Sequence, residues 1–70
     1  MHKIYFEKRC IIICGPDDPV LSDPNALLFR IGNSSDIHTL VEMVEISDSL
    51  HRVFVPTDNI EDTYRKTCAE

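Results

Sequence analysis

The stretch Arg9-Cys10-Ile11-Ile12-Ile13-Cys14 constrains this chain more than any other. Its apolar residues fall on odd and even positions alike. A strand with one wet face would alternate, so this one must be covered on both faces or lie centrally in a sheet. It falls far short of the ~20 apolar residues that a membrane-crossing helix needs. Gly15-Pro16-Asp17-Asp18-Pro19 ends it at once, because proline has no N–H to give to a ladder. Upstream, His2-Lys3-Ile4-Tyr5-Phe6 alternates, with Ile4 and Phe6 on one face and Lys3 and Tyr5 on the other. The two strands predict an antiparallel hairpin. Glu7-Lys8 lacks the Asn-Gly signature, so a four-residue turn is expected rather than a two-residue one.

Gly15 to Asn25 holds three of the four prolines and reads as a loop, with Val20 and Leu21 pinning its middle. Its aspartates lack the ligand spacing, glycine and closing glutamate of a calcium loop. Ala26-Leu27-Leu28-Phe29-Arg30-Ile31 predicts a third strand, with Leu27, Phe29 and Ile31 sharing a face. After Gly32-Asn33, Ser34 or Ser35 is the expected N-cap of a helix, and Asp36 suits its positive end. Ile37, Leu40, Val41 and Val44 recur at helical spacing, and the helix should end near Ile46 to Asp48. Arg52-Val53-Phe54-Val55 predicts a fourth strand, stopped by Pro56. Asp58 and Glu61 form an Asp-x-x-Glu start for a second helix running from Asn59, with Ile60, Tyr64 and Cys68 facing inward.

The expected fold is therefore α+β, one small domain over residues 1–70, in the order β-β-β-α-β-α. It would have a mixed four-stranded sheet, an N-terminal antiparallel hairpin and one right-handed parallel β-α-β crossover. The periodicity of the last helix reaches the final residues with no Gly or Asn cap. Glu70 and the chain carboxylate would then sit at the negative end of its dipole. The expectation is a segment of a longer protein.

Seven Lys+Arg against twelve Asp+Glu give a net charge of −5. That balance argues against a nucleic-acid binder tracking phosphates with a basic face. No signal peptide opens the chain, and its three cysteines are an odd number; both point to reduced thiols in the cytoplasm. Cys10 and Cys14 would share a strand face about 13 Å apart, too far for a disulfide. His2, His38 and His51 are scattered, without paired ligand spacing, so no metal or cofactor site is expected. No nucleophile elbow is present, and no cysteine sits at a helix N-terminus, so no catalytic residue is assigned.

Two surface features remain. Ser34, Ser35, Thr57 and Asp58 follow two parallel strands, which would place them at the carboxyl edge of the sheet, where open α/β sheets take ligands. Asp36 and Asp58 would repel a phosphate there, which makes this a weak candidate. If both helices cover one face, then Tyr5, Leu28 and Phe54 would lie on the other among Lys3, Arg30 and Arg52. Exposed apolar side chains rimmed by cations make a candidate interface of Tyr5, Leu28, Arg30, Arg52 and Phe54. The competing arrangement has the second helix crossing to cover that face.

Lys3-Ile4-Tyr5-Phe6, Leu21-Ser22-Asp23-Pro24-Asn25-Ala26, and Val55-Pro56-Thr57-Asp58-Asn59 through Thr63-Tyr64-Arg65 resemble the short N-terminal domain that precedes the catalytic domain in a group of bacterial Nudix hydrolases. Cys68-Ala69-Glu70 is similar to the region just before that catalytic domain. The family's Gly-x5-Glu-x7-Arg-Glu-x-x-Glu-Glu-x-Gly motif is absent, so no catalytic residue carries over. The resemblance implies a parent that hydrolyses nucleoside diphosphates linked to another group, using magnesium. It implies that this segment is a noncatalytic accessory domain that packs on the parent's C-terminal catalytic domain, helps dimerise it through a second copy of itself, or shapes substrate access. A self-standing cytoplasmic binding or protein-interaction module is the alternative.

Overall fold

The computed structural model describes residues 2–48 and 52–69. His51, one of the scattered histidines, and Glu70, expected at a helix end, lie outside the described residues. The chain forms β1 (His2–Phe6), β2 (Arg9–Cys14), a 3-10 turn (Pro19–Ser22), α1 (Ser35–Ile46), β3 (Arg52–Pro56) and α2 (Ile60–Ala69). The sheet order is β1-β2-β3, with β1 antiparallel and β3 parallel to β2. The doubly apolar run of β2 is thus the central strand, and every residue from Cys10 to Cys14 is buried.

The sheet has three strands, which corrects the four-stranded expectation. Residues 26–31 run beside β3 in the parallel sense but form a single bridge, Leu28 to Phe54. Phe54 N donates to Leu27 O at 2.8 Å and Phe29 N donates to Phe54 O at 2.9 Å. The next bond of a parallel ladder would come from the N–H of residue 56. That residue is Pro56, so the ladder stops. At the far end of the segment, the Asp36 carboxylate takes Gly32 N at 2.7 Å and Asn33 N at 3.0 Å and turns the chain into α1.

The hairpin turn is also tighter than expected. The pairing of Phe6 with Arg9 leaves only Glu7 and Lys8 between the strands. Glu7 supplies the positive φ, 56°, that a two-residue turn needs at its first central position. No Asn or Gly announces it.

Both helix starts lie one register away from the expected caps. Ser34 has helical dihedrals and makes no side-chain cap bond. Asn33 Oδ1 accepts from Ser35 N at 3.0 Å while the Asp36 carboxylate takes Asn33 N, a reciprocal capping box. At α2, Asn59 Oδ1 accepts from Asp62 N at 3.3 Å, so the start is Asn59-x-x-Asp62 rather than Asp58-x-x-Glu61. There the bond is not returned, since Asn59 N donates to Thr57 Oγ1.

The core lies between one face of the sheet and both helices. Ile11, Ile13, Val53 and Val55 meet Leu40, Val41 and Val44 of α1, with Ile4, Phe6, Phe29, Ile31, Ile60 and Tyr64 packed around them. Leu27, expected to share a face with Phe29 and Ile31, is 47% exposed, whereas those two pack against the core. The inner face of α2 differs too. Thr63 and Thr67 are its buried residues, while Cys68 is exposed. The threonines tolerate burial because their hydroxyls are satisfied: Thr67 Oγ1 donates to Thr63 O at 2.7 Å, and Thr63 Oγ1 meets Thr57 Oγ1 at 3.0 Å.

Arg9 holds the end of α1. Its Nη1 donates to Val44 O at 2.8 Å and also to Glu45 O. The last turn of α1 has no basic residue of its own, so a cation from β2 complements the negative end of its dipole.

Candidate interaction face

With both helices on one side, the opposite side of the sheet is left to loops and solvent. The register sets its side chains in rows. Tyr5, Cys10 and Arg52 form one row, and Lys3, Ile12, Phe54 and Leu28 form the next. Cys10, Ile12 and Cys14 are buried along the middle. The 3-10 turn folds toward this side, since Val20 and Phe54 line one groove. Its N-cap Asp18 lies close enough to Cys14 to affect that thiol. Burial first, and Asp18 second, push the Cys14 thiol above its ordinary value.

The structure places Tyr5, Leu28, Arg52 and Phe54 in these two adjacent rows. Tyr5 is 70% exposed and Leu28 is 37% exposed. Phe54 is half-buried and Arg52 exposed. Arg30 lies on the bridging segment two residues past Leu28, outside the paired rows, and is exposed. Among the described residues, neither Arg30 nor Arg52 has an ion-pair partner. Between the loop and β3 runs an open groove of about 400 Å³, walled by Val20, Leu27 and Phe54, with Arg52 and Asp23 at its rim. The arrangement suits noncovalent contact: apolar side chains in the middle and free guanidinium groups at the margin.

Ser34, Ser35, Thr57 and Asp58 do not form one site. Ser34 borders a cavity with Ile37, Lys66 and Ala69, at the last turn of α2. Thr57 and Asp58 precede the first turn of that helix. Ten residues of helix separate the two groups, ~15 Å of rise. Thr57 is also already engaged, accepting from Asn59 N at 3.2 Å and meeting Thr63.

One cluster was not anticipated from the sequence. The His2 ring stacks on Tyr64 with centroids 4.4 Å apart, and its Nε2 lies 2.6 Å from Glu61 Oε1. This ties the start of β1 to the first turns of α2. The Tyr64 phenol is pushed above its ordinary value, first by its hydrogen bond with the Cys68 thiol. The available signal was the i, i+3 and i+7 spacing of Glu61, Tyr64 and Cys68, but nothing in the sequence places His2 beside them. His38 is exposed on α1, 3.8 Å from Glu42.

Among the described residues, no group of three or more His, Cys, Asp or Glu could hold a metal ion, and no helix is long and apolar enough to cross a membrane. The three thiols are free. They differ sharply in access, which gives an expected outcome for titration with a chromogenic disulfide near pH 8. Cys68 should react promptly, whereas Cys10 and Cys14 should react only as the protein unfolds. Prompt modification of all three would contradict the covered middle of this face. Compared with protein-family models, curated proteins and solved structures, the chain matches none.

Proposed function

We propose that this chain is a noncatalytic interaction module that docks through the sheet face opposite its helices. The carrying observation is the juxtaposition of exposed Tyr5 and Leu28 with half-buried Phe54 and the unpaired Arg52. Its specific role is that of an N-terminal accessory domain to a Nudix-like hydrolase of nucleoside diphosphate derivatives, acting in the cytoplasm. The resemblance of the Lys3 to Phe6, Leu21 to Ala26 and Val55 to Arg65 stretches supports that role. The parent's magnesium and its chemistry belong to the catalytic domain, and no step of the reaction is assigned to this chain.

Two measurements test the reading. In the source DNA, the frame is expected to continue past codon 70 into a Nudix motif. A stop codon there would remove the accessory role and leave the self-standing module. With the catalytic domain expressed separately, the 70-residue chain should bind it, and Leu28→Asp should weaken binding by about tenfold or more, as for an apolar contact at the centre of an interface. Leu28 is exposed, so this variant should keep its melting temperature. Equal binding by Leu28→Asp and the parent sequence would move the docking surface elsewhere.

A further inference from the structure

The two edges of the sheet are treated differently. Beyond β3, the bridging segment covers Phe54, and Pro56 offers no N–H. That edge is closed by two devices that block strand addition. The β1 edge has neither. Its five residues pair with β2 without a bulge and contain no proline.

The direction of each backbone group on β1 follows from the ladder. Cys14 O accepts from Thr57 N at 2.9 Å, so the Cys14 backbone points toward β3. Backbone groups alternate sides along a strand. Ile13, Ile11 and Arg9 therefore point toward β1, where they pair with His2, Ile4 and Phe6. The N–H and C=O groups of Lys3 and Tyr5 point away from the sheet. Among the described residues, neither makes a backbone hydrogen bond outside the hairpin.

We infer that β1 pairs antiparallel with β1 of a second copy of this chain, centred on Ile4, to give a continuous six-stranded sheet. The strand is its own complement in this register. Lys3 of one copy and Tyr5 of the other exchange both of their backbone bonds, and the two-fold axis repeats the exchange, giving four bonds from four outward donors. Ile4 meets Ile4 on the helix-bearing face. On the other face each Lys3 ammonium lies beside the other copy's exposed Tyr5 ring, which suits a cation–π contact. This pairing uses the edge of the sheet and does not depend on what docks against its face.

Sedimentation velocity on the 70-residue chain tests the pairing. The expected mass is twice that of one chain at about 100 μM, in keeping with a Kd in the micromolar range. Tyr5→Pro removes an outward N–H and no bond of the native hairpin, so it should give a folded monomer with an unchanged far-ultraviolet spectrum. Two further variants read the register without proline. Tyr5→Lys sets two cations opposite each other and should weaken association at least tenfold. Tyr5→Glu sets a carboxylate opposite Lys3 and should preserve it. A wild-type chain that stays monomeric to about 1 mM overturns the inference. So does a dimer that survives Tyr5→Lys, and so does dissociation by Tyr5→Lys and Tyr5→Glu alike. If Tyr5→Pro fails to fold, the comparison of Lys with Glu still decides.

Discussion

Leu40→Ala is expected to abolish the cooperative thermal transition at ordinary temperatures. Leu40 is fully buried on α1 and packs into the single core formed with Ile11, Ile13, Val53 and Val55. Removing three heavy atoms there loses their transfer free energy and leaves a cavity, a cost of about 2–5 kcal/mol. A chain of this size holds a stability of roughly 3–5 kcal/mol. The substitution therefore removes most or all of it. Circular dichroism against temperature is the readout, with Leu40→Met as control; that volume-conserving change should cost less than about 1.5 kcal/mol. A sharp transition within a few degrees of the wild type would mean that Leu40 does not sit where the core depends on it.

Arg9→Ala should loosen the end of α1 and weaken the whole domain. The guanidinium holds Val44 O and Glu45 O in the last turn, where helix carbonyls have no intrahelical partner. Hydrogen bonds to a charged group contribute about 1.5–3 kcal/mol. The side chain is 22% exposed, so solvent screening places the loss at about 1–2 kcal/mol. Chemical denaturation should report it as a lower midpoint, and hydrogen exchange should show faster exchange in the last turn of α1. Asp48→Ala separates the cap from the ion pair. Asp48 lies fully exposed and 3.7 Å from Arg9, so its removal should leave both readouts unchanged. Loss of stability in Asp48→Ala but not in Arg9→Ala would reverse the assignment.

The sequence carried the parts of the fold that follow from burial and periodicity. The unbroken apolar run called for a strand covered on both faces or central in the sheet, which β2 is, and the i, i+3, i+4, i+7 spacing of Ile37, Leu40, Val41 and Val44 matches the buried face of α1. What it did not carry depends on single backbone groups. Residues 26–31 alternate like a strand, but a ladder needs donors on its neighbour, and Pro56 withholds one. The cap positions were missed because serine and aspartate are as good in isolation as the asparagine beside them; at α1 the choice rests on Asp36, whose carboxylate reaches back to Asn33 N. Cys68 fits an inward stripe by spacing, yet α2 is turned so that Thr63 and Thr67 are covered, with hydroxyl bonds that a hydropathy pattern does not register. At the candidate face, the row of Tyr5, Cys10 and Arg52 depends on strand register across the hairpin and across the crossover. Composition suggested those residue types, and only the pairing sets them side by side.

The central position of β2 also fixes an order of assembly. During synthesis the hairpin partner of β2 is already made when β2 emerges, whereas the parallel pairing of Ile11 with Val53 joins residues about forty positions apart. Until β3 arrives, a nearly continuous apolar strand has one sheet neighbour and one open edge. Closing so long a stretch of chain costs entropy before any contact repays it, which slows folding relative to a meander of the same size. The nascent chain is therefore most prone to association in that interval, when β2 is complete and Val53 to Val55 are still within the ribosome.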